Sequence, residues 1–267
     1  QWHCEHLKRA YPFLQKAEVI DFDQNEKTYD DLWTPNVYFK DESCWKLPKM
    51  AIIGNGLDTE RFNITETRVP HRFIWCSSPD RGLEELLNMW SLIRKKLPDA
   101  ELKIFYGWEY FDTSLFISAQ RELKERLRKL IRQDGVQWCG RIGQTQLARE
   151  LMKADVMFYP PHSFRETYGI AFLEAQAAGV ICFYRQNGAL GETIGNRGIP
   201  LDMKPRAIVK TIVETLKDTD LCDILRQNSK DYALKRTWEL QTGKMLKLYE
   251  VIDEEKTSRR KAIPQEN

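Results

Sequence analysis

The chain has 267 residues, 42% of them apolar, with 41 basic against 39 acidic side chains and a formal net charge of +2. That length and apolar content support a large domain with a substantial core and exclude disorder throughout. The near balance of charge excludes an overall field favouring nucleic acid or an acidic membrane surface, so the ligand has to be read from local sites.

Six cysteines occur without a CxxC pair or a Cys/His cluster. Cys76, Cys139 and Cys182 lie inside apolar runs, which fits core packing in a reducing compartment better than zinc binding. No stretch approaches the ~18 consecutive apolar residues of a membrane span, and the start lacks a charged-then-apolar signal segment. These features read as a soluble, cytoplasmic protein with no metal. The first residue is Gln1 rather than methionine, which leaves room for an upstream signal or domain.

Residues 1–60 are irregular, with Pro35, Pro48 and a polar stretch over Asp21–Asp31, and they end in Gly54-Asn55-Gly56-Leu57-Asp58. They read as a linker or as the remnant of a preceding domain. From Arg72 onward, Arg72–Cys76, Leu102–Tyr106, Val136–Cys139, Val156–Tyr159 and Val180–Tyr184 are short, β-branched and aromatic runs that predict strands. Between them Leu83, Leu86, Leu87, Trp90, Ile93 and Leu97 share one helical face, as do Leu123, Leu127, Leu130 and Ile131. Strands joined by crossover helices pair in parallel, so residues 61–235 are expected to form a doubly wound, Rossmann-like α/β domain. Its ligand should sit at the carboxyl ends of the strands. After Pro205 the pattern is helical, through Ile208–Leu216, Leu221–Leu234 and Trp238–Ile252. Residues 236–253 read as a terminal helix and 254–267, charged and containing Pro264, as a disordered tail.

Two loops carry the chemistry. After the first of these strands, Ser77-Ser78-Pro79-Asp80-Arg81-Gly82 leads into a helix, with Ser78 expected as its cap and Pro79 in its first turn. A helix start beside Arg81 suits a phosphate, although a capped helix with a solvated arginine is the plainer alternative. The second is Tyr159–Gly179, a strand, loop and helix in which Thr167 is the expected cap, Gly169 allows close approach and Gly179 suits a left-handed helix end. Glu166 and Glu174 flank this helix start. Helical geometry separates them by about 12 Å, more than the roughly 5–9.5 Å of a glycoside hydrolase pair. A clamp on two ends of one ligand fits better, with carboxylates accepting from sugar and ribose hydroxyls and amides receiving phosphate between them. Two surface glutamates are the alternative on spacing alone.

The segment Phe158–Gly179, with Glu166 and Glu174 separated by seven residues, resembles the most characteristic motif of glycosyltransferase family 4. Asn55-Gly56-Leu57-Asp58 with Phe62, then Ser77–Gly82, Tyr106-Gly107 and Gly140-Arg141, follow in the family's order. The resemblance covers about Gly54 to Ile252 and implies the C-terminal, nucleotide-sugar-binding half of a GT-B enzyme. It implies retaining transfer of a hexosyl or deoxyhexosyl group from a nucleotide-diphosphate sugar to a glycan, lipid or other hydroxyl acceptor. Glu166 would stand near the donor sugar, Glu174 on the ribose, and Arg81, where lysine is usual, on the diphosphate, making Glu166 and Arg81 the catalytic candidates. Amides around Tyr168, Gly169 and Ile170 would approach the phosphates and sugar, and the Gly140-Arg141-Ile142 turn would lie beside the base.

Trp75 stands where the family commonly has another arginine, about six residues before the basic position, and the hydroxyls of Ser77 and Ser78 are the compensating donors. A GT-B enzyme also needs an upstream acceptor-binding domain, of which residues 1–20, with Trp2, His3 and His6, read as the end. Trp238–Ile252 resembles the final helix that crosses back towards it. No metal cofactor is expected, since cationic side chains and helix dipoles can stabilise a leaving diphosphate. Against this, Asp21-Phe22-Asp23 matches the metal–diphosphate triplet of the other glycosyltransferase fold, although a second triplet occurs at Asp218-Thr219-Asp220. His162 is a loop residue whose role is open. The competing functions are a donor-binding module that is inactive without a separate acceptor domain and a nucleotide-sugar epimerase.

Overall fold

The computed structural model describes residues 19–21, 50–108, 117–160, 166–201 and 204–262. The chain divides into Leu57–Lys235 and a second unit made of Gln1–Gly56 with Arg236–Asn267. In that second unit β1 (Val19–Asp21) and β2 (Met50–Ile52) pair in parallel. Runs of three residues show no period, so the sequence reading found only an irregular segment there.

The unit Leu57–Lys235 alternates strand and helix. In order come β3 (Arg72–Trp75), α1 (Leu83–Lys96), β4 (Glu101–Ile104), α2 (Ile117–Leu130), β5 (Val136–Trp138) and α3 (Gln144–Lys153). Then follow β6 (Val156–Tyr159), α4 (Ile170–Ala177), β7 (Ile181–Tyr184), α5 (Leu190–Thr193), β8 (Ile199–Pro200), α6 (Pro205–Lys217) and α7 (Thr219–Ala233). The six strands β3–β8 lie in the order β5-β4-β3-β6-β7-β8 and every pair is parallel. This is the expected doubly wound, Rossmann-like sheet. Strand order reverses between β3 and β6, and such a switch point opens a crevice at the strand carboxyl ends.

Burial follows from the composition of each element. All four residues of β6 and of β7 are buried, as strands covered on both faces must be. Helix α1 buries Leu83, Leu86, Leu87, Met89, Trp90 and Ile93, and the Trp90 ring meets Phe73 of β3 edge-on at 5.4 Å. The five expected strands are present: Val156–Tyr159 as expected, Leu102–Tyr106 shifted to Glu101–Ile104, and the other three one residue shorter. Two-residue β8 carries too short a pattern to be foreseen.

Helix α4 ends as its glycine implied. Gly179 adopts φ +68°, its N–H donates to Gln176 O at 2.9 Å, and Val180 N–H donates to Ala175 O at 2.9 Å. These two bonds are those of a Schellman end. The last helix of the chain, α8 (Trp238–Ala262), runs through part of the segment expected to be a disordered tail. Its Glu, Lys and Arg residues are good helix formers and no proline intervenes before Pro264. Residues 263–267 lie outside the described residues.

Candidate functional site

The first wall of the site is the turn after β3. Trp75 is fully buried, stacks on Tyr159 of β6 at 4.5 Å, and its indole N–H donates to Ser77 O at 2.8 Å. The residue standing where the resemblance puts another arginine is therefore a core side chain that pins the turn. Ser78 does not cap α1. Pro79–Arg81 form a 3₁₀ turn, Arg81 N–H donates to Ser78 O at 3.0 Å, and α1 starts only after Gly82 at φ +104°. A left-handed residue between turn and helix reorients the chain, which removes Ser78 from the capping position. Ser77, Ser78 and Arg81 are half-buried. Arg81 Nη1 donates to Glu166 Oε1 at 2.8 Å.

Glu166 is held by its backbone. It forms a parallel bridge with Gly188, and Ala189 N–H donates to Glu166 O at 2.9 Å. Gly188 has φ +67°, and a Cβ there would stand 2.2 Å from Glu166 O, so the residue after β7 that meets Glu166 has to be glycine. Thr193 of α5 donates its hydroxyl to Tyr168 O, which fixes the next turn of the loop. Thr167 is exposed and does not cap α4. The capping position belongs to Gly169, at φ +86°, where a Cβ would lie 2.7 Å from Leu190 Cδ2. The start of α4 thus presents its first amides, with Ile170 44% exposed beside them.

Glu174 lies in the body of α4, 7% exposed. Arg61, from the 3₁₀ turn Thr59–Phe62, reaches it from 113 residues away: Nη1 donates to Glu174 Oε1 at 3.3 Å and also to Gln144 Oε1 of α3. Arg61 Nε lies 3.2 Å from Asp58 Oδ2. Phe62, next in the turn, is buried in the core and anchors it. Burial pushes the Glu174 carboxyl above its ordinary range, and the charge and hydrogen bond of Arg61 pull it back. Sequence reasoning passed over Arg61. The available signal was its position between Asp58 and Phe62, inside a motif already singled out.

A cavity of about 270 Å³ opens at the carboxyl ends of β3, β4 and β5, lined by Cys76, Phe105, Tyr106, Arg141, Ile142 and Gln144 among others. Gly140, at φ +70° with open space about its Cα, turns the chain so that Arg141 and Ile142 face it. Burial pushes the Cys76 thiol far above its usual range and the Glu174 charge adds to the effect, so this part of the wall is neutral.

The structure thus brings together Arg81 with Glu166, and Glu174 with Arg61 and the Gln144 side of the cavity. Of the acidic triplet, Asp21 ends β1 while Asp23 lies outside the described residues, as does His162. Asp218 of the second triplet is a helix cap, its Oδ1 accepting from Leu221 N–H at 2.9 Å.

Residues 76–232 match the family described as glycosyl transferases group 1. The D-inositol 3-phosphate glycosyltransferase of Corynebacterium kroppenstedtii is 27% identical over 173 residues, which are 64% of this chain and 38% of that protein. Among solved structures, Anabaena HepE in complex with UDP-glucose superposes with a TM-score of 0.61 at 14% identity, over 76% of this chain and 58% of that one. The C-terminal domain of a glycosyl transferase group 1 family protein from Francisella tularensis gives 0.53 at 20% identity, over 68% of this chain and 98% of that domain. This chain therefore spans less than two thirds of the corynebacterial and Anabaena proteins. With its 157-residue match counted from 76 to 232, the parallel sheet and the GT-B neighbours, the chain belongs to the glycosyl transferases group 1 family.

Proposed function

We propose that Leu57–Lys235 is the donor site of a retaining glycosyltransferase that moves a hexosyl or deoxyhexosyl group from a nucleotide-diphosphate sugar to a hydroxyl acceptor held by an upstream domain. One observation carries the reading: two nearly buried carboxylates, Glu166 and Glu174, flank the start of α4, and each meets its own arginine. Glu174 accepts from the ribose hydroxyls, and the base occupies the cavity along Tyr106, Arg141 and Ile142. The diphosphate lies between the carboxylates, on the first amides of α4 at Tyr168, Gly169 and Ile170 and on Arg81, with Ser77 and Ser78 at its edge. Glu166 meets the sugar.

In this arrangement Arg81 holds the Glu166 carboxylate and faces the leaving diphosphate as well. An arginine fork has five N–H groups, so it can hold Glu166 and phosphate together. Fixed donors aimed at charge that grows on the leaving group lower the barrier without a metal. The acceptor is a glycan, lipid or other hydroxyl compound, and the proposed compartment is the cytoplasm. Support comes from HepE, whose structure holds UDP-glucose, and from the glycosyl-transferring corynebacterial relative.

Calorimetry on Glu166→Ala and Glu174→Ala tests the clamp, using UDP, GDP, dTDP and their glucose derivatives. Glu174→Ala should weaken nucleoside diphosphate and nucleotide sugar alike, because both carry the ribose. Glu166→Ala should spare the diphosphate and remove the extra affinity contributed by the sugar. Each sensitive affinity should fall on the order of ten- to a hundredfold. Identical ligand profiles for the two variants, with folding verified by circular dichroism, would falsify the assignment.

A further inference from the structure

We propose that Arg61 is the positioning residue of the nucleotide site, holding Glu174 and Gln144 in register so that both face the ligand. This rests on the donor reading above. Arg61 stands on a turn that precedes the whole sheet, yet one of its nitrogens, Nη1, donates both to Glu174 Oε1 on α4 and to Gln144 Oε1 on α3. Gln144 lines the cavity, and the shared Arg61 nitrogen sets Glu174 beside Gln144. A single guanidinium thus spans the two helices that enclose the base and ribose ends of the ligand. Asp58 fixes its other side, 3.2 Å from Nε, and buried Phe62 fixes its backbone. A side chain held at both ends, 16% exposed, is suited to aiming other groups rather than to touching the ligand itself.

The electrostatics give the role a readout. Burial favours the uncharged Glu174 carboxyl, and Arg61 opposes this through its charge and its hydrogen bond. The other groups around Glu174 do not replace that charge. Cys76 at the end of β3 is held as a neutral thiol, Gln144 on α3 has no charge, and Lys230 of α7 lies against Gly179, beyond the far end of α4. Without Arg61 the carboxyl stays protonated to higher pH. A protonated carboxyl gives up part of its acceptor capacity for the two ribose hydroxyls.

The test is a carbon-13 NMR titration of Glu174 in wild type, Arg61→Gln and Arg61→Lys, with the resonance assigned by its loss in Glu174→Gln. In Arg61→Gln the midpoint should move up, and Arg61→Lys, which keeps the charge, should restore most of the wild-type value. Calorimetry with whichever of UDP-glucose, GDP-glucose and dTDP-glucose binds wild type most tightly should show Arg61→Gln weaker by on the order of tenfold at about pH 6 and close to wild type at about pH 8.5. A midpoint unmoved in Arg61→Gln, or affinities that fall equally at both pH values, overturns the proposal. So does an Arg61→Lys variant that is folded but no better than Arg61→Gln. Failure of the donor reading has a different signature, in which Glu174→Gln weakens none of the nucleotide sugars while the NMR titration still decides whether Arg61 controls Glu174.

Discussion

Replacing Arg81 by alanine should harm the protein in two measurable ways that replacing Glu166 does not. The pair is joined at 2.8 Å, with the Glu166 side chain 7% and the Arg81 side chain 28% exposed. At an effective dielectric of about 20, unit charges about 4 Å apart attract by roughly 4 kcal/mol, and desolvation of the carboxylate offsets much of this. Leaving a closed-in carboxylate without its partner costs about 3–5 kcal/mol. Water reaches more than a quarter of Arg81, so the expected loss for Arg81→Ala is reduced to about 1–3 kcal/mol. Glu166→Ala leaves an arginine that can hydrate, and should lose less than about 1 kcal/mol.

Ligand affinity should carry the same asymmetry. Arg81→Ala gives up a charge-assisted bond to the diphosphate, worth on the order of ten- to a hundredfold, and exposes the ligand to an unneutralised Glu166. The double variant Arg81→Ala/Glu166→Ala lacks that repulsion and should recover about tenfold in nucleoside diphosphate affinity. Urea unfolding of the three variants and calorimetry with UDP, GDP and dTDP measure both effects. The reasoning is refuted if Arg81→Ala is as stable as Glu166→Ala and the double variant binds diphosphate no better than Arg81→Ala.

Gly188→Ala should lose most donor affinity while remaining folded, since its Cβ would meet Glu166 O at 2.2 Å and the residue needs φ +67°; wild-type affinity in that variant contradicts the placement of Glu166. Gln176→Leu should destabilise by about 1–3 kcal/mol in urea, because fully buried Gln176 donates to Phe172 O and Thr193 O and accepts from Arg197 Nε, and leucine gives up all three bonds. The Glu174 carboxyl is raised by burial, so the folded state retains its proton longer than the unfolded chain. Its contribution to stability is therefore present below the ordinary glutamate range and declines as pH rises through the raised folded value. Glu174→Gln should flatten that decline above the ordinary glutamate range, and unchanged curvature would show that the group is not coupled to folding. EDTA should leave donor affinity unaltered, whereas a Mg²⁺ or Mn²⁺ requirement lost on changing Asp21 or Asp23 would reassign the diphosphate site.

The parallel sheet was legible because its evidence is local. Apolar runs such as Val156–Tyr159 and Ile181–Tyr184, and the face Leu83, Leu86, Leu87, Trp90 and Ile93, record burial on both sides of a strand or on one side of a helix. The glycine that ends α4 was legible for the same reason, since a left-handed helix end is chosen by its own residue. Helix starts were not. Ser78 and Thr167 have capping side chains, but Gly82 and Gly169 turn the chain after them and take the position that a cap would occupy.

By itself the sequence determined the strands β3 to β7 and the buried faces of the helices between them, that Glu166 and Glu174 flank one helix start, and that Arg81 follows the first strand of the large sheet. Only the tertiary structure decided what those charges meet. Arg81 and Glu166 are 85 residues apart and Arg61 and Glu174 are 113 apart, brought together by the reversal of strand order between β3 and β6 and by a turn anchored through Phe62. Periodicity extends over one element at a time, whereas the partner of a buried charge is selected by the packing of several. That is why the carboxylates could be read from the chain while the arginine on Glu174, and the glycine that gives Glu166 its place, could not.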